Sequence, residues 1–232
     1  VGNDGFGSYI TERLSSVGVN TNHLNVLENK STSVIFVSRS DGTPDFIPYR
    51  SADCCIYEEQ ISSEILSHTK IFHTTCFALS KNPAQKTILK KAQEAHDLGC
   101  KLSIDLNYAR KLWKSQKKAF KVIKTYCQFN PLIKISEDDM LRLFEKELPH
   151  EDIFEFFHHQ GVDTVCLTLG SKGVKLSQKG KEVIQMPAIK IDKVMDSTGA
   201  GDAFWSGFLF AYIKEKSIHE CLDIALKLAA LK

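Results

Sequence analysis

Residues 196–202 read DSTGAGD and run directly into an apolar helical stretch, residues 203–213. The backbone N–H groups of Gly199–Gly201 are not screened by large side chains, and a helix N-terminus carries roughly half a positive charge. We therefore predict an anion hole at this turn, with the Asp202 carboxylate in the same pocket. Such a carboxylate can accept a proton from a hydroxyl that attacks a phosphoryl group. A plain helix N-cap is the alternative interpretation, because Asp and Gly are common where helices begin.

Outward from this motif, strand and helix patterns alternate along the chain. The pattern predicts strands over 71–75, 102–106, 132–135 and 165–169 and helices over 84–98, 114–126, 137–146, 152–160 and 203–213, with a capping box at 217–220 opening a last helix. This alternation indicates an α/β fold with a mostly parallel sheet covered on both faces. Ligands of such sheets bind beyond the carboxyl ends of the strands.

Polar side chains stand where three of these strands end, and they should converge on one crevice. Asp105 and Asn107 end one strand, Lys134 and Ser136 the next, and Thr168 and Gly170 a third.

Composition favours a globular small-molecule protein. Hydrophobic residues make up 43% of 232 residues, and 30 basic and 28 acidic residues are spread along the chain. Nucleic acid and membrane are therefore not expected partners. The lysines of residues 111–124 are interleaved with apolar residues, as on the solvated face of an amphipathic helix. The seven cysteines lack metal-ligand spacing and favour free, buried thiols, and with no signal peptide or long apolar stretch evident we expect a cytosolic protein.

Residues 31–50 contain two β-prone runs around Asp41-Gly42, a strong hairpin signal. We expect this segment to form a small lid, separate from an α/β body made of residues 1–30 and 51–232.

The motif at 196–202 closely resembles the signature of the ribokinase-like, or PfkB, carbohydrate kinases, and other segments agree along essentially the whole chain. Residues 1–21 resemble the family's Gly-x-Asp-x-Phe-Gly helix start. Residues 49–53 and 105–113 are similar to the Tyr-Arg-x-Ala-Asp and Asp-x-Asn-x-Arg-x-x-Leu-Trp patterns of its fructokinase and 2-keto-3-deoxygluconate kinase branch. The resemblance implies a ribokinase-like three-layer sandwich with a small β-sheet lid, often shared in a homodimer. It also implies that the parent chain has further strands before Val1 and continues past Lys232, so that this sequence is truncated at both ends.

The resemblance also implies site residues and ligands: ATP, Mg²⁺ and in some members a monovalent cation such as K⁺. Catalysis would involve Asp202, with Gly199, Ala200 and Gly201 as the anion hole. The nucleotide would contact Thr168, Gly170, Lys172, Gly173, Lys134, Ser136 and Thr198. The sugar would contact Tyr49, Arg50, Asp105, Asn107, Arg110 and Asp202. Asp139 would approach Mg²⁺ through water.

Several of these assignments have structural alternatives. Residues 168–173 also fit a hairpin turn, Ser136 fits a helix cap, and Arg50 fits a solvated strand end. The family's second arginine is replaced by Ala109, so either Arg110 takes over its role or the substrate differs.

We therefore predict an ATP-dependent sugar kinase that phosphorylates a primary hydroxyl of a ketose such as fructose. The alternative substrate is 2-keto-3-deoxygluconate. A non-catalytic sugar or nucleotide sensor on the same fold is a rival, and a plain interaction domain is a third interpretation that leaves the Gly-Ala-Gly turn unexplained.

Overall fold

The structure is a computed structural model that describes residues 1–38, 45–191 and 197–232. Its strands are β1 (Val34–Ser38), β2 (Asp45–Tyr49), β3 (Ile71–Thr75), β4 (Lys101–Asp105), β5 (Leu132–Ser136), β6 (Thr164–Thr168), β7 (Val174–Gln178) and β8 (Ile184–Met186). Its helices are α1 (Gly5–Ser16), α2 (Ser63–Ser67), α3 (Ala84–Asp97), α4 (Gln116–Cys127), α5 (Glu137–Phe144), α6 (His150–His159), α7 (Ala200–Ile213) and α8 (Ile218–Ala230). The four predicted strands and six predicted helices are all present, with ends displaced by three residues or fewer.

The main sheet has six strands in the order β3-β4-β5-β6-β7-β8. Strands β3 to β6 are parallel, and β7 and β8 are added antiparallel at one edge. The predicted, mostly parallel sheet is therefore confirmed. The antiparallel addition begins at the turn of residues 170–172, where β6 folds back on β7.

Two separate apolar clusters cover the two faces of the sheet and make the three-layer sandwich. On one face α3, α4, α5 and α6 pack against Ile104, Ile133 and Val165. On the other face α7 and α8 pack against Leu132 and Cys166. Because successive strand residues point to opposite faces, the residues that alternate with the first set face α7, and these include Ser103, Asp105 and Lys134. The site is thus built on the face covered by α7.

The lid strands β1 and β2 form a separate two-stranded antiparallel sheet, with Phe36 opposite Ile47 and Val37 opposite Phe46. The predicted hairpin is therefore confirmed in its strands. Its predicted turn at Asp41-Gly42 lies outside the described residues, as does Asp196 of the glycine-rich motif.

Free thiols and helix caps also agree with the sequence. All seven cysteines are free, and six of them are buried. The Ser217 hydroxyl accepts a hydrogen bond from the Glu220 N–H, and the Glu220 carboxylate accepts one from the Ser217 N–H, so the predicted capping box of α8 is confirmed. Across the described ranges, no helix combines the length and the apolar character needed to cross a membrane.

Candidate active site

The N-terminus of α7 is shaped by glycine. Gly199 occupies the N-cap position with φ +83°, in the left-handed region that glycine adopts without a steric penalty. Gly199 has no side chain that could cap the helix, and Asp202 lies in the first turn, exposed to solvent. Asp202 is therefore not an N-cap residue. The Ala200 N–H already donates to the Ser197 carbonyl at 3.0 Å, so this amide is committed to the turn itself.

A buried ion pair lies directly beneath the turn. The Lys134 Nζ donates to both carboxylate oxygens of Asp105, at 3.0 and 2.9 Å, and both residues are 5% exposed or less. A Cβ atom on Gly201 would lie 3.1 Å from the same Nζ. Glycine at this position thus lets the helix backbone approach the ammonium group. Asp105 and Lys134, which were predicted to converge on one crevice, are thus in contact, and Gly201 of the glycine-rich turn lies next to them.

The charges of further carboxylates affect the pKa of Asp105 in this ion pair. Burial raises the pKa of Asp105 to about 6 against the opposing effect of Lys134, and the charges of Asp139 and Asp202 raise it further. Burial also raises the pKa of Asp139, while its hydrogen bond with Ser136 acts in the opposite direction. Two carboxylates with raised pKa values, those of Asp105 and Asp139, are therefore affected by the Lys134 ammonium group. Such clustering of perturbed acids is typical of functional sites.

Ser136 caps α5. Its hydroxyl accepts a hydrogen bond from the Asp139 N–H at 3.0 Å, and the Asp139 side chain completes a capping box by accepting from Ser136. The capping interpretation of Ser136 is therefore correct in this structure, and Asp139 is only 7% exposed. Contact of Asp139 with Mg²⁺ through water stays a prediction.

The turn at residues 168–173 follows β6 beside this cap. Thr168 lies opposite Ser136 in the sheet register, and the exposed Gly170 begins a 3₁₀ turn. The Lys172 Nζ lies 3.5 Å from the Glu137 carboxylate at the start of α5. Gly173 has φ +100°, and a Cβ there would be 2.1 Å from the Met186 carbonyl oxygen. The hairpin interpretation is thus correct for this segment, and the turn stands at the carboxyl edge where a nucleotide is predicted.

Arg50 is held by several contacts at the base of the lid. Its Nε donates to Asp53 at 2.7 Å, its Nη1 donates to the Ser80 hydroxyl, and its guanidinium lies 4.1 Å from the centroid of the Phe77 ring. With a side chain only 6% exposed, Arg50 is not the solvated strand-end residue of the alternative interpretation. The adjacent Tyr49 is 62% exposed and packs edge-on against Phe36. The guanidinium thus connects the lid to the body.

Asn107 and Arg110, which both follow β4, have different surroundings in the structure. The Asn107 Oδ1 accepts the Phe77 N–H at 3.1 Å, which ties together the loops after β3 and β4. Arg110 is directed elsewhere: its side chain is 77% exposed and pairs with Glu145 at 2.8 Å. The expectation that Arg110 takes over from the arginine missing at Ala109 is therefore not met in this structure.

Two lysines that the sequence analysis did not assign to the site lie beside it. Lys81 and Lys111 line an open cavity beneath the lid. Lys111 was interpreted as part of a helix face, but it precedes α4 in the 3₁₀ turn Arg110–Leu112. One signal could have identified Lys111 from the sequence. It stands two residues after Ala109, in a segment that otherwise follows the family pattern.

A hydrogen-bonded network also links α7 to the sheet. The Trp205 Nε1 donates to the Ser103 hydroxyl at 3.0 Å, and the same hydroxyl contacts His73 Nδ1 at 3.0 Å. Desolvation lowers the pKa of His73, and the charge of Asp202 acts in the opposite direction. Trp205 lies one turn after Asp202, so this network holds the helix that carries the predicted base.

The residues present fit a phosphate-bearing ligand. A helix N-terminus whose N-cap is a left-handed glycine and a nearby ammonium group form an anion cradle. In the described ranges, no three His, Cys, Asp or Glu side chains are grouped as a metal site. Mg²⁺ in phosphate chemistry needs only one or two carboxylates besides substrate oxygens, and Asp139 is the carboxylate predicted to approach it through water.

Comparison with known proteins agrees with this geometry. The model of the pfkB family of carbohydrate kinases matches residues 1–232. An ATP-dependent 6-phosphofructokinase of Thermoanaerobacterium thermosaccharolyticum is 32% identical over the whole chain, which spans 71% of that protein. The probable fructokinase-5 of Arabidopsis thaliana is 30% identical, with 94% of this chain and 67% of that protein aligned.

Solved structures give the same result. The fructokinase of Halothermothrix orenii superimposes with a TM-score of 0.85 at 31% identity, covering 99% of this chain and 78% of that chain. Aminoimidazole riboside kinase of Salmonella enterica, complexed with aminoimidazole riboside and an ATP analog, gives a TM-score of 0.88 at 22% identity, over 99% of this chain and 76% of that chain; it supports the fold alone. The chain therefore belongs to the pfkB family of carbohydrate kinases, and its activity class is phosphoryl transfer to an alcohol group of a sugar.

Proposed function

We propose that the protein is an ATP-dependent kinase that transfers the γ-phosphoryl group to a primary hydroxyl of a ketose or a ketose derivative, with Asp202 as the base. The observation that carries this proposal is the α7 N-terminus, where Asp202 follows the glycine turn above the Lys134–Asp105 pair. Fructose and 2-keto-3-deoxygluconate are the neutral and the acidic candidates. The relatives named for fructose and fructose phosphate support this substrate range.

In this reaction the acceptor oxygen forms a bond to the γ-phosphorus, and the bond from that phosphorus to the β,γ-bridging oxygen breaks. The hydroxyl proton passes to the Asp202 carboxylate, and the electron pair of the broken bond leaves with ADP. The N–H groups at the start of α7 and the Lys134 ammonium would stabilise the negative charge of the transferring group. Bound Mg²⁺ would neutralise charge on the phosphate oxygens, and K⁺ is a further candidate ion.

A coupled ADP-release assay with ATP and Mg²⁺ tests this proposal, using fructose, fructose 6-phosphate, 2-keto-3-deoxygluconate, ribose and adenosine as acceptors. Asp202→Asn should lower kcat by roughly 10²–10⁴-fold, the usual contribution of a general base, with little change in ATP binding. Asp223→Asn is the matched control, because Asp223 is an acidic residue on α8 that pairs with Lys227 at 2.7 Å. Full activity of Asp202→Asn would refute the assignment. Binding of sugar or ATP without turnover in the wild type would instead favour the sensor.

We also propose that two copies associate through their lids. Ile35, Val37 and Phe46 are each 44–47% exposed on the two-stranded sheet, and an isolated two-stranded hairpin is at best marginally stable in water. A second copy would cover this surface. Light scattering should give a dimer for the wild type and a monomer for Val37→Glu; a wild-type monomer would refute the proposal. The seven free cysteines support a reducing compartment, which we propose is the cytosol.

A further inference from the structure

The Asp105 carboxylate, which the sequence assigned to the sugar, is occupied by a partner within the protein. Its side chain is 4% exposed, and both of its oxygens accept hydrogen bonds from the Lys134 Nζ, at 3.0 and 2.9 Å. A sugar hydroxyl could reach this carboxylate only by displacing the ammonium group. Asp105 therefore faces Lys134 in this structure and not a ligand.

Lys134 depends on Asp105 for the compensation of its charge. In the sheet register Lys134 lies opposite Asp105 on β4 and opposite Cys166 on β6. Burial raises the pKa of the Cys166 thiol, so β6 offers the ammonium group a neutral neighbour. The charge of Lys134 also lowers the pKa of Asp139 on α5. Within the described part of the chain, however, both hydrogen-bond acceptors of the ammonium group belong to Asp105.

The ammonium group lies against the first turn of α7. A Cβ atom on Gly201 would be 3.1 Å from the Lys134 Nζ, so the glycine lets the backbone of the turn come close to the charge. A buried lysine without an anionic partner loses its proton or moves towards water, because burial disfavours the charged form. The positive charge beneath the α7 N-terminus is therefore stable only while Asp105 is present.

We propose that Asp105 is a positioning residue, which holds the Lys134 ammonium group charged and in place beneath the first turn of α7 and does not contact the sugar. This inference rests on the proposed function, in which Lys134 stabilises the transferring phosphoryl group. It predicts that loss of Asp105 impairs the chemical step and leaves sugar binding intact. It also predicts that Asp105 has no effect once Lys134 is removed.

A double-mutant cycle of Asp105→Asn and Lys134→Met in the ADP-release assay tests both predictions. Lys134→Met should lower kcat by about 10²-fold, the usual loss when one stabilising group of an anion site is removed. Asp105→Asn should lower kcat by about 10-fold or more and change the sugar KM by less than about 2-fold, because it displaces a group that acts on the phosphoryl donor. In the Lys134→Met background the further loss of kcat should be less than about 2-fold, because the residue through which Asp105 acts is then absent.

A direct sugar contact would give a different result. Asp105→Asn would then raise the sugar KM by about 10-fold or more, because a hydrogen bond to a charged group is lost, and the increase would persist in the Lys134→Met background. Either observation overturns the inference.

Lys91→Met is the matched control, because Lys91 is also a buried lysine that pairs with a carboxylate, that of Glu94 at 2.8 Å. It lies on α3, on the opposite face of the sheet. Lys91→Met should lower the free energy of unfolding and leave kcat unchanged. A loss of kcat as large as that of Asp105→Asn would mean that kcat only follows stability, and it would refute the inference.

The double variant protects the test against a failure to fold, since it contains neither buried charge. If Asp105→Asn does not fold, the double variant is compared with Lys134→Met: equal kcat and sugar KM support the inference, and a raised sugar KM refutes it. If no sugar is phosphorylated by the wild type, the proposed function fails by itself. Calorimetric titration with ATP and with ADP then decides the inference. A preference for ATP that both single variants abolish supports it, and a preference that Asp105→Asn leaves intact, or none in the wild type, refutes it.

Discussion

Substitution of Gly201 by alanine should separate catalysis from stability. The new Cβ would lie 3.1 Å from Lys134 Nζ and 3.7 Å from its Cε, so the ammonium must retreat by a few tenths of an ångström. That ammonium holds both oxygens of Asp105 at 2.9–3.0 Å. Because a misplacement of about 1 Å can reduce a rate by roughly 10²-fold, we expect kcat of Gly201→Ala to fall by about 10-fold.

The stability of the same variant should stay level or rise. Gly201 lies in the first turn of α7, where alanine is favoured over glycine by up to about 1 kcal/mol. That gain offsets the strain of a contact with the end of a flexible side chain. Urea unfolding should therefore give a free energy of unfolding equal to, or slightly above, that of the wild type.

Gly207→Ala is the matched control in the same helix. Its Cβ would lie 2.8 Å from Leu228 Cδ1 and 3.0 Å from the Ala225 Cα, where α7 packs on α8. Overpacking against backbone should lower the free energy of unfolding by about 1–2 kcal/mol after the helix-propensity gain, with kcat unchanged. Normal activity of Gly201→Ala would refute the role of the cradle, and a stability loss as large as that of Gly207→Ala would make Gly201 a packing residue.

Two further predictions concern the face of the sheet under α7. In the folded protein the pKa of Asp105 is about 6, whereas its model value is 3.8. Ionisation of Asp105 therefore lowers the free energy of unfolding by about 3 kcal/mol above pH 6. This penalty disappears as the pH falls towards about 4, because the carboxyl group is then protonated in the folded state. Urea unfolding at several pH values should show the wild type gaining stability relative to Asp105→Asn on acidification; a pH-independent difference would exclude this titration. Trp205→Phe removes the donor to the Ser103 hydroxyl and should lower the free energy of unfolding by about 1–3 kcal/mol. A double-mutant cycle with Ser103→Ala should show coupling, and strict additivity would mean that the hydrogen bond contributes nothing.

Much of the fold could be predicted because its signals are local. Buried parallel strands such as β5 read as short apolar runs between helical patterns, and Ser217 and Glu220 mark the start of α8 within four residues. The antiparallel strands β7 and β8 were not predicted. Strand β8 has only three residues, and its position depends on Gly173, whose turn brings its backbone against that of Met186.

Within the site, the sequence identified residues better than partners. Asp105 and Lys134 were predicted to lie at one crevice, but Asp105 was assigned to the sugar and Lys134 to the nucleotide. The local sequence does not show which strands are neighbours, and therefore it does not show that both side chains point to the α7 face and pair with each other. Arg50 was likewise predicted to bind sugar, whereas its partners Ser80 and Phe77 are 30 and 27 residues away in sequence. Pairings over such separations are set by the packing of elements, which the residue pattern does not encode directly.

The same reasoning explains why Ala109 does not by itself argue against catalysis. A cationic side chain can bind a substrate only if its charge lies close to the substrate. The 3₁₀ turn Arg110–Leu112 directs neighbouring side chains to different surroundings. Arg110 reaches Glu145 on the outside, and Lys111 reaches the cavity. A lysine is a compact charge on a flexible stem and does not reproduce the fixed fork of an arginine. The loss of arginine at position 109 therefore changes the contacts that the loop after β4 can offer a substrate, and it leaves Asp202 in the first turn of α7.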